Sequence, residues 1–229
     1  MFFHGNAEDI GQCYKFCKTI SSLLNVNVLA VEYPGYGVCG GTPSEENVLK
    51  SAVAGLNFLS DILKISGENI MIFGRSIGTG PAVYLSTLHK FAGLILVAPF
   101  LSVRKVAFSL LKSEILSNLL VENLFPNCER IQQNKCKTLI IHGEKDRIVP
   151  SSHGKLLYNV LVKNSKEPVM FVNPKDMEHN TNLLTNDDYF LRPMWKFFEL
   201  QNYVFRKVLN EIKVSFVPPL ITSVNIIIL

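Results

Sequence analysis

Residues 71–82 read MIFGRSIGTGPA. An apolar run, NIMIF at 69–73, ends in Gly74-Arg75-Ser76-Ile77-Gly78, and the small-residue stretch TGPAVYLSTL follows at 79–88. Serine at a strand end is commonly a turn former or a helix N-cap. That accounts for Ser76 but not for a glycine on each side of it at this spacing. A sharp strand-to-helix turn accounts for both, because it forces the central residue into a strained backbone conformation that leaves no room for neighbouring side chains. The central hydroxyl then stands exposed at the carboxyl end of the sheet, above a helix N-terminus. This is the G-x-S-x-G nucleophile elbow, and the strand before it and the helix after it are the context that the pattern requires.

Working outward, apolar runs bounded by turn residues recur with helical stretches between them, the rhythm of a parallel sheet. Strands are predicted at MFF, NVLAVEY, NIMIFG, GLILVAP, KTLIIHG and PVMFVN. They are rich in Val, Ile and Leu and alternate little, as expected when helices cover both faces. Helices are predicted over 9–24, 44–64, 77–88, 152–163 and 187–212. Residues 99–136 are too long for a simple crossover, and their apolar residues recur at near-helical spacing. They are read either as a core-packing crossover or as a small lid or acyl-chain wall, with Phe108, Leu111 and Leu119 as wall residues. The opening MFF reads as a strand cut off at its start, so the early strands of such a sheet are expected to be missing, whether by truncation or because the protein does without them. The expected organisation is one α/β domain over 1–212 and an unassigned apolar tail over 213–229.

Composition bounds the function. A chain of 229 residues, 48% of them apolar, suffices for one sizeable core. Net charge +4, pI near 8.7 and mean hydropathy +0.21 are mild. The lysines are scattered, which gives no footprint for nucleic acid. A weak attraction to anionic membrane surfaces is compatible with this charge, as is an ordinary solvated surface. The five cysteines form neither a zinc spacing nor an even disulfide framework, which fits a reducing, cytoplasmic setting. Cys13 and Cys17, four apart, share one helix face and are read as core. MFFHGN lacks the basic start of a signal peptide. SFVPPLITSVNIIIL falls short of the ~20 residues a membrane span needs, and Pro218-Pro219 would break a helix. Nothing in the sequence sets an oligomeric state.

A serine hydroxyl needs a base to take its proton, and that base needs a carboxylate to orient it. In an elbow fold these follow in the order serine, acid, histidine, after later strands. Asp146, in LIIHGEKDRIVP, lies just past a strand and before Pro150 opens a helix. His179, in NPKDMEHN, falls in the loop after the next strand. His153 is expected at the surface or as a capping residue. Asp176 and Glu178 are alternative acids, but lie too near His179 in sequence to reach its ring easily. For a developing oxyanion, the backbone donors are the Ile77 amide and one from FFHGNAED, with Asn6 preferred and Ala7 as fallback. His4 is read as bracing this loop. In the turn-rich EYPGYGVCGGTPSEEN, Tyr33 and Tyr36 are expected at the pocket rim with Gly35 and Gly37.

Taken together, FFHGNAEDIGQ, VEYPGYGVCGGTPSEEN, GRSIGTGPA, PNCERI, LIIHGEKDRIVPSSHGKLLY and EHN resemble the α/β-hydrolase domain-containing protein 17 group, and more broadly the Bem46-like serine hydrolases. The resemblance runs from residue 2 to about 200 with the blocks in the family's order. It implies an α/β-hydrolase fold with Ser76, Asp146 and His179 as a catalytic triad, no cofactor and no metal. It also implies hydrolysis of acyl thioesters, including palmitoyl-cysteine on membrane-associated proteins, so an acylated protein or lipid ester is the expected substrate and peripheral membrane contact is compatible. The depalmitoylase branch carries an N-terminal lipidated cysteine cluster, and membrane targeting by that route is not expected from these residues. A small-ester carboxylesterase or a serine aminopeptidase-like peptidase would use the same residues. From a different class, a non-catalytic membrane-associated scaffold in cell-shape control is the remaining alternative.

Overall fold

The computed structural model describes residues 1–200 and 226–228. Among these, seven strands form one sheet: β1 (Phe2–Phe3), β2 (Leu29–Val31), β3 (Met71–Arg75), β4 (Gly93–Val97), β5 (Thr138–Ile141), β6 (Val169–Val172) and β7 (Ile226–Ile228). Their order is β6-β5-β4-β3-β1-β2-β7. The pairings among β1 to β6 are all parallel, and β7 runs antiparallel to β2. All six strands read from the sequence are present; β7 comes from the tail left unassigned.

The near-continuous apolar strands have a simple cause. Successive side chains alternate between faces, and here each face meets its own hydrophobic layer. Phe3, Val31, Ile72, Leu94, Leu96 and Ile140 join one core, with Val48 and Leu56 of α2 (Glu45–Asn57), Val83 and Leu85 of α3 (Thr79–Leu88), and Leu157 and Leu161 of the helix over Ser152–Asn164. Phe2, Ala30, Phe73, Ile95, Val97, Leu139 and Ile141 join the other, with Cys13, Cys17, Ile20 and Leu24 of α1 (Ile10–Leu24) and Leu191 and Met194 near the end of the described chain. Cys13 and Cys17 are thus core residues, and burial pushes the Cys17 thiol up to about 12.

Helix limits follow from caps. The Asp9 side chain accepts from Gln12 N to start α1, and Asn25, left-handed at φ 51°, ends it. The helix read over 44–64 is α2 followed by a π turn over Phe58–Ile62, closed by Lys64 at φ 56°. The last helix starts at Leu191 rather than at 187, because the Asn182 and Asn186 side chains accept from Leu184 N and Asp188 N and hold that stretch in turns. The part of that helix expected beyond residue 200 lies outside the described residues. Among the described residues no helix is long and apolar enough to cross a membrane.

Between β4 and β5 the chain forms α4 (Val103–Leu111), α5 (Glu114–Leu120) and α6 (Asn127–Arg130). Val103, Val106, Leu124 and Phe125 reach the core, which is the crossover reading. Phe108, Leu111 and Leu119 are instead exposed, at 40%, 46% and 77%. Phe108 borders a cavity of about 210 Å³ whose lining includes Arg104, Glu114 and Ser117 but not Ser76.

One expectation is corrected here. His153, on α7 (Ser152–Asn164), is buried rather than superficial, and it ties α7 to the β4–β5 connection. Its Nδ1 accepts from Leu101 N at 3.3 Å, and its Nε2 is 2.9 Å from Ser109 Oγ. The Leu101 amide can only donate, so Nδ1 is unprotonated and the ring is neutral. The seven-residue spacing from Asp146 hid this, because the partners lie 44 and 52 residues away. Burial first, and then the neighbouring His142, lower the His153 pKa to about 4. The unfolded chain takes up this proton near ~6.5. The stability His153 contributes is therefore full above that value and lost as pH falls towards 4. Urea midpoints between pH 7 and 4 should fall less steeply for His153→Gln than for the unsubstituted chain, and parallel curves would refute the assignment.

Candidate active site

β1 lies between β2 and β3, so the chain leaves β1 in one direction across the sheet and returns on its other side. Open α/β sheets bind ligands outside the carboxyl ends of the strands at such a reversal. The loop after β1 and the turn after β3 meet there.

The turn after β3 is the elbow. Ser76 has φ 50°, a left-handed conformation rare for a residue with a side chain. Neither flanking glycine shares it; both are required by close backbone approach. A Cβ on Gly74 would stand 2.3 Å from Gly78 O, and one on Gly78 would stand 2.2 Å from Phe3 O of β1. Thr79 Oγ1 donates to Ser76 O at 2.7 Å and secures the turn. Ser76 itself stays partly exposed.

Asp146 and His179 converge on it from the loops after β5 and β6. His179 Nε2 is 3.0 Å from Ser76 Oγ, and His179 Nδ1 is 2.7 Å from Asp146 Oδ2. A carboxylate only accepts, so the imidazole proton sits on Nδ1 and Nε2 is free to accept from the serine hydroxyl. The two loops are joined by Glu144 N donating to Pro174 O and Lys145 N to Met177 O. Gly143 admits no side chain there, since a Cβ would lie 2.1 Å from Met177 O.

Asp146 is buried but well partnered. Its Oδ1 accepts from Ile148 N and Val149 N at 2.9 and 2.8 Å. His142 Nε2 donates to Val149 O at 2.8 Å and lies 3.3 Å from Asp146 Oδ2. Burial alone would raise the Asp146 pKa. The hydrogen bonds from His142 and His179, the electrostatic attraction of His179 and the Val149 amide outweigh it and hold the carboxyl well below the usual carboxylate range. The alternative acids are elsewhere: Asp176 and Glu178 are exposed, and Asp176 engages the Tyr189 hydroxyl.

The loop after β1 packs on the elbow. A Cβ on Gly5 would be 3.7 Å from that of Ser76, and Ala7, at φ 58°, turns the chain away. Asn6 is exposed on this loop, while Ile77 sits in the first helical turn after Ser76, where amides have no preceding acceptor in the helix. Asn6 and Ile77 thus lie on the two segments that meet at the reversal. His4 braces the loop as expected: it is fully buried, with Nε2 2.6 Å from Glu32 Oε1 and Nδ1 2.9 Å from Gly5 O. Tyr36 is half-buried, its hydroxyl donating to Asn6 Oδ1 at 2.7 Å.

Tyr33 is not a rim residue. It is fully buried, donates to His4 O at 3.1 Å and packs on the His4 ring at 4.3 Å between centroids. The reason is the period of β2: Leu29, Val31 and Tyr33 fall on the same inward face.

Three neighbours of the site were not read from the sequence: Glu32 beneath His4, His142 beside Asp146, and Glu8. The Glu8 carboxylate pairs with Arg75 at 2.8 Å across 67 residues. Only the position of Arg75 inside the elbow motif offered a signal. Beside this pair opens a cavity of about 310 Å³ lined by Phe2, Phe16, Cys13, Asn180 and Leu183 among others. Among the described residues no group of three or more His, Cys, Asp or Glu is placed to hold a metal ion.

Comparison with known proteins agrees with this architecture. The chain is 36% identical over 158 residues to α/β-hydrolase domain-containing protein aho-3 of Caenorhabditis elegans, covering 69% of this chain and 46% of that protein. It is 35% identical to human α/β-hydrolase domain-containing protein 17C, again over 69% of this chain and 46% of the relative. The chain thus spans about half the length of the curated relatives it matches. An α/β-hydrolase from Vibrio vulnificus superposes with TM-score 0.66 at 19% identity, over 86% of this chain and 70% of that one, a likeness of fold. The resemblance to the domain-containing protein 17 group drawn from the sequence blocks therefore holds. Residues 44–202 match the prolyl oligopeptidase family, and with the sheet described above this chain belongs to that family of α/β-hydrolases.

Proposed function

We propose that this chain is a serine hydrolase that cleaves acyl esters and thioesters, with a palmitoyl-protein thioesterase-like substrate class. The observation that carries the proposal is the hydrogen-bond chain from Ser76 Oγ through the His179 ring to Asp146, at 3.0 and 2.7 Å. In the proposed mechanism His179 Nε2 takes the hydroxyl proton as Ser76 Oγ attacks the acyl carbonyl, and Asp146 stabilises the imidazolium that forms. The Ile77 and Asn6 amides stabilise the oxyanion. The proton passes from His179 to the departing thiol or alcohol, leaving the acyl group on Ser76. Water then attacks this acyl-enzyme with His179 again as base, releasing the carboxylic acid and restoring the serine.

The acyl preference draws support from the resemblance to the domain-containing protein 17 group. It also draws on the exposed apolar side chains Leu110, Ile115, Leu119 and Leu120 of α4 and α5, a surface suited to lipid. A peripheral membrane location belongs to the same proposal. The prolyl oligopeptidase match favours a second reading, a peptidase using the same three residues on aminoacyl amides.

Ser76→Ala should abolish labelling by a fluorophosphonate probe and ester turnover while leaving the melting temperature nearly unchanged. His179→Ala should lower turnover by at least ~10³-fold. Asp146 stays ionised far into acid, so protonation of this carboxylate should add no step to the acid limb of the rate profile above about pH 3. Covalent labelling of the Ser76→Ala protein would place the nucleophile elsewhere, and an unlabelled wild-type chain would favour the scaffold alternative.

Activity on p-nitrophenyl esters and acyl-cysteine peptides should climb from two-carbon to longer acyl chains, each buried methylene adding up to ~0.8 kcal/mol of binding. Polar substitutions at Phe108, Leu111 or Leu119 should flatten that trend more than they slow acetyl-ester hydrolysis. A preference for acetyl esters or aminoacyl amides that these substitutions leave untouched would replace the thioesterase reading with the small-ester or peptidase one.

A further inference from the structure

We propose that the Arg75–Glu8 pair is a positioning clasp that sets the loop after β1 and the His179 loop against the nucleophile elbow; this rests on the serine-hydrolase reading. Three separate loops meet at the pair. Arg75 belongs to the elbow, immediately before Ser76. Its Nη1 donates to Glu8 Oε1 at 2.8 Å, and its Nη2 donates to the backbone carbonyl of His179 at 3.3 Å. The second Glu8 oxygen accepts from Gly5 N at 2.8 Å, in the loop that carries the Asn6 amide. One guanidinium and one carboxylate thus link the nucleophile, the base and the proposed oxyanion donor.

Each partner suits this task better than an alternative would. Arginine presents N–H groups in a rigid plane, so one can hold a carboxylate while another holds a carbonyl; a lysine ammonium is a compact point charge on a flexible stem. Glu8 is not needed to start α1, because the neighbouring Asp9 side chain caps it. Gly5 is the spacer between clasp and nucleophile: a Cβ there would lie 2.9 Å from Glu8 Oε2 and 3.7 Å from the Ser76 Cβ. The two side chains keep 20% and 27% of their surface exposed, so the pair is only partly solvated. Its proposed contribution is geometric, falling on rate more than on folding, which the comparison of kcat with Tm below decides.

The test compares the unsubstituted chain with Glu8→Ala, Glu8→Gln, Arg75→Met and Arg75→Lys. Five quantities are read: kcat and KM on p-nitrophenyl acetate, the inhibition constant of a trifluoromethyl ketone that forms a tetrahedral adduct on serine, the rate of fluorophosphonate labelling, and Tm. Glu8→Ala and Arg75→Met should lower kcat by about 10- to 100-fold, the scale on which small misplacements act. Affinity for the ketone should fall in parallel, with KM within about twofold and Tm within a few degrees. Glu8→Gln, which keeps an acceptor for Gly5 N, should retain more of both than Glu8→Ala, and Arg75→Lys more than Arg75→Met. Unchanged kcat and ketone affinity in Glu8→Ala, with the wild type labelled at Ser76, would overturn the clasp and leave the hydrolase reading standing. So would a loss of kcat that tracks a fall in Tm while ketone affinity holds. A wild-type protein unlabelled at Ser76 would remove the reading itself, and the clasp with it.

Discussion

Two backbones pass so close at the centre of the sheet that neither tolerates a side chain between them. The turn after β3 lies against the exit of β1, where a Cβ on Gly78 would meet Phe3 O at 2.2 Å, and it folds back on itself so that a Cβ on Gly74 would meet Gly78 O at 2.3 Å. This contact holds Ser76 in its left-handed conformation, whose cost the surrounding parallel pairings sustain. It also brings the Gly5–Asn6 loop beside the hydroxyl. The sites of the proposed nucleophile and oxyanion donors therefore depend on one steric condition, met by two glycines.

The other half of the site depends on polar satisfaction rather than contact. Asp146 loses water on burial, and an unpartnered buried carboxylate would become neutral. Two backbone amides and two histidines supply what water would have given, so its charge persists next to the His179 ring. The same region holds His153 neutral by joining it to Leu101 N and Ser109 Oγ. Two histidines on neighbouring elements thus have opposite characters: one open to the serine hydroxyl, the other sealed as a strut between α7 and the β4–β5 connection.

Much of the fold was legible because its causes are local. Unbroken Val/Ile/Leu runs announce strands covered on both faces, and Ser44 and Asp9 mark helix starts through caps formed within three residues. The elbow was legible for the same reason: strand, glycine, serine, glycine and helix are contiguous, and the strain they impose is local. Even the placement of Asp146 and His179 beside Ser76 was legible from order, since loops after successive parallel strands share the carboxyl edge of the sheet.

What the residue order alone determined was therefore the strands, their two-sided burial, the elbow and the loops that bear the polar groups. Tertiary structure decided which long-range partners those groups would take. Tyr33 turned inward because β2's period carried it onto the core face, beneath a loop 29 residues earlier. His153 became buried through partners on a distant crossover. Glu8 met Arg75 because β1 and β3 are neighbours in the sheet although 67 residues separate the pair. β7 found its place beside β2 through antiparallel pairing that no local pattern in the tail announces. The physical reason is the same each time: propensity, capping and periodicity act within a few residues, whereas hydrogen-bond and ion-pair partners are chosen by whatever the assembled sheet brings within about 3 Å.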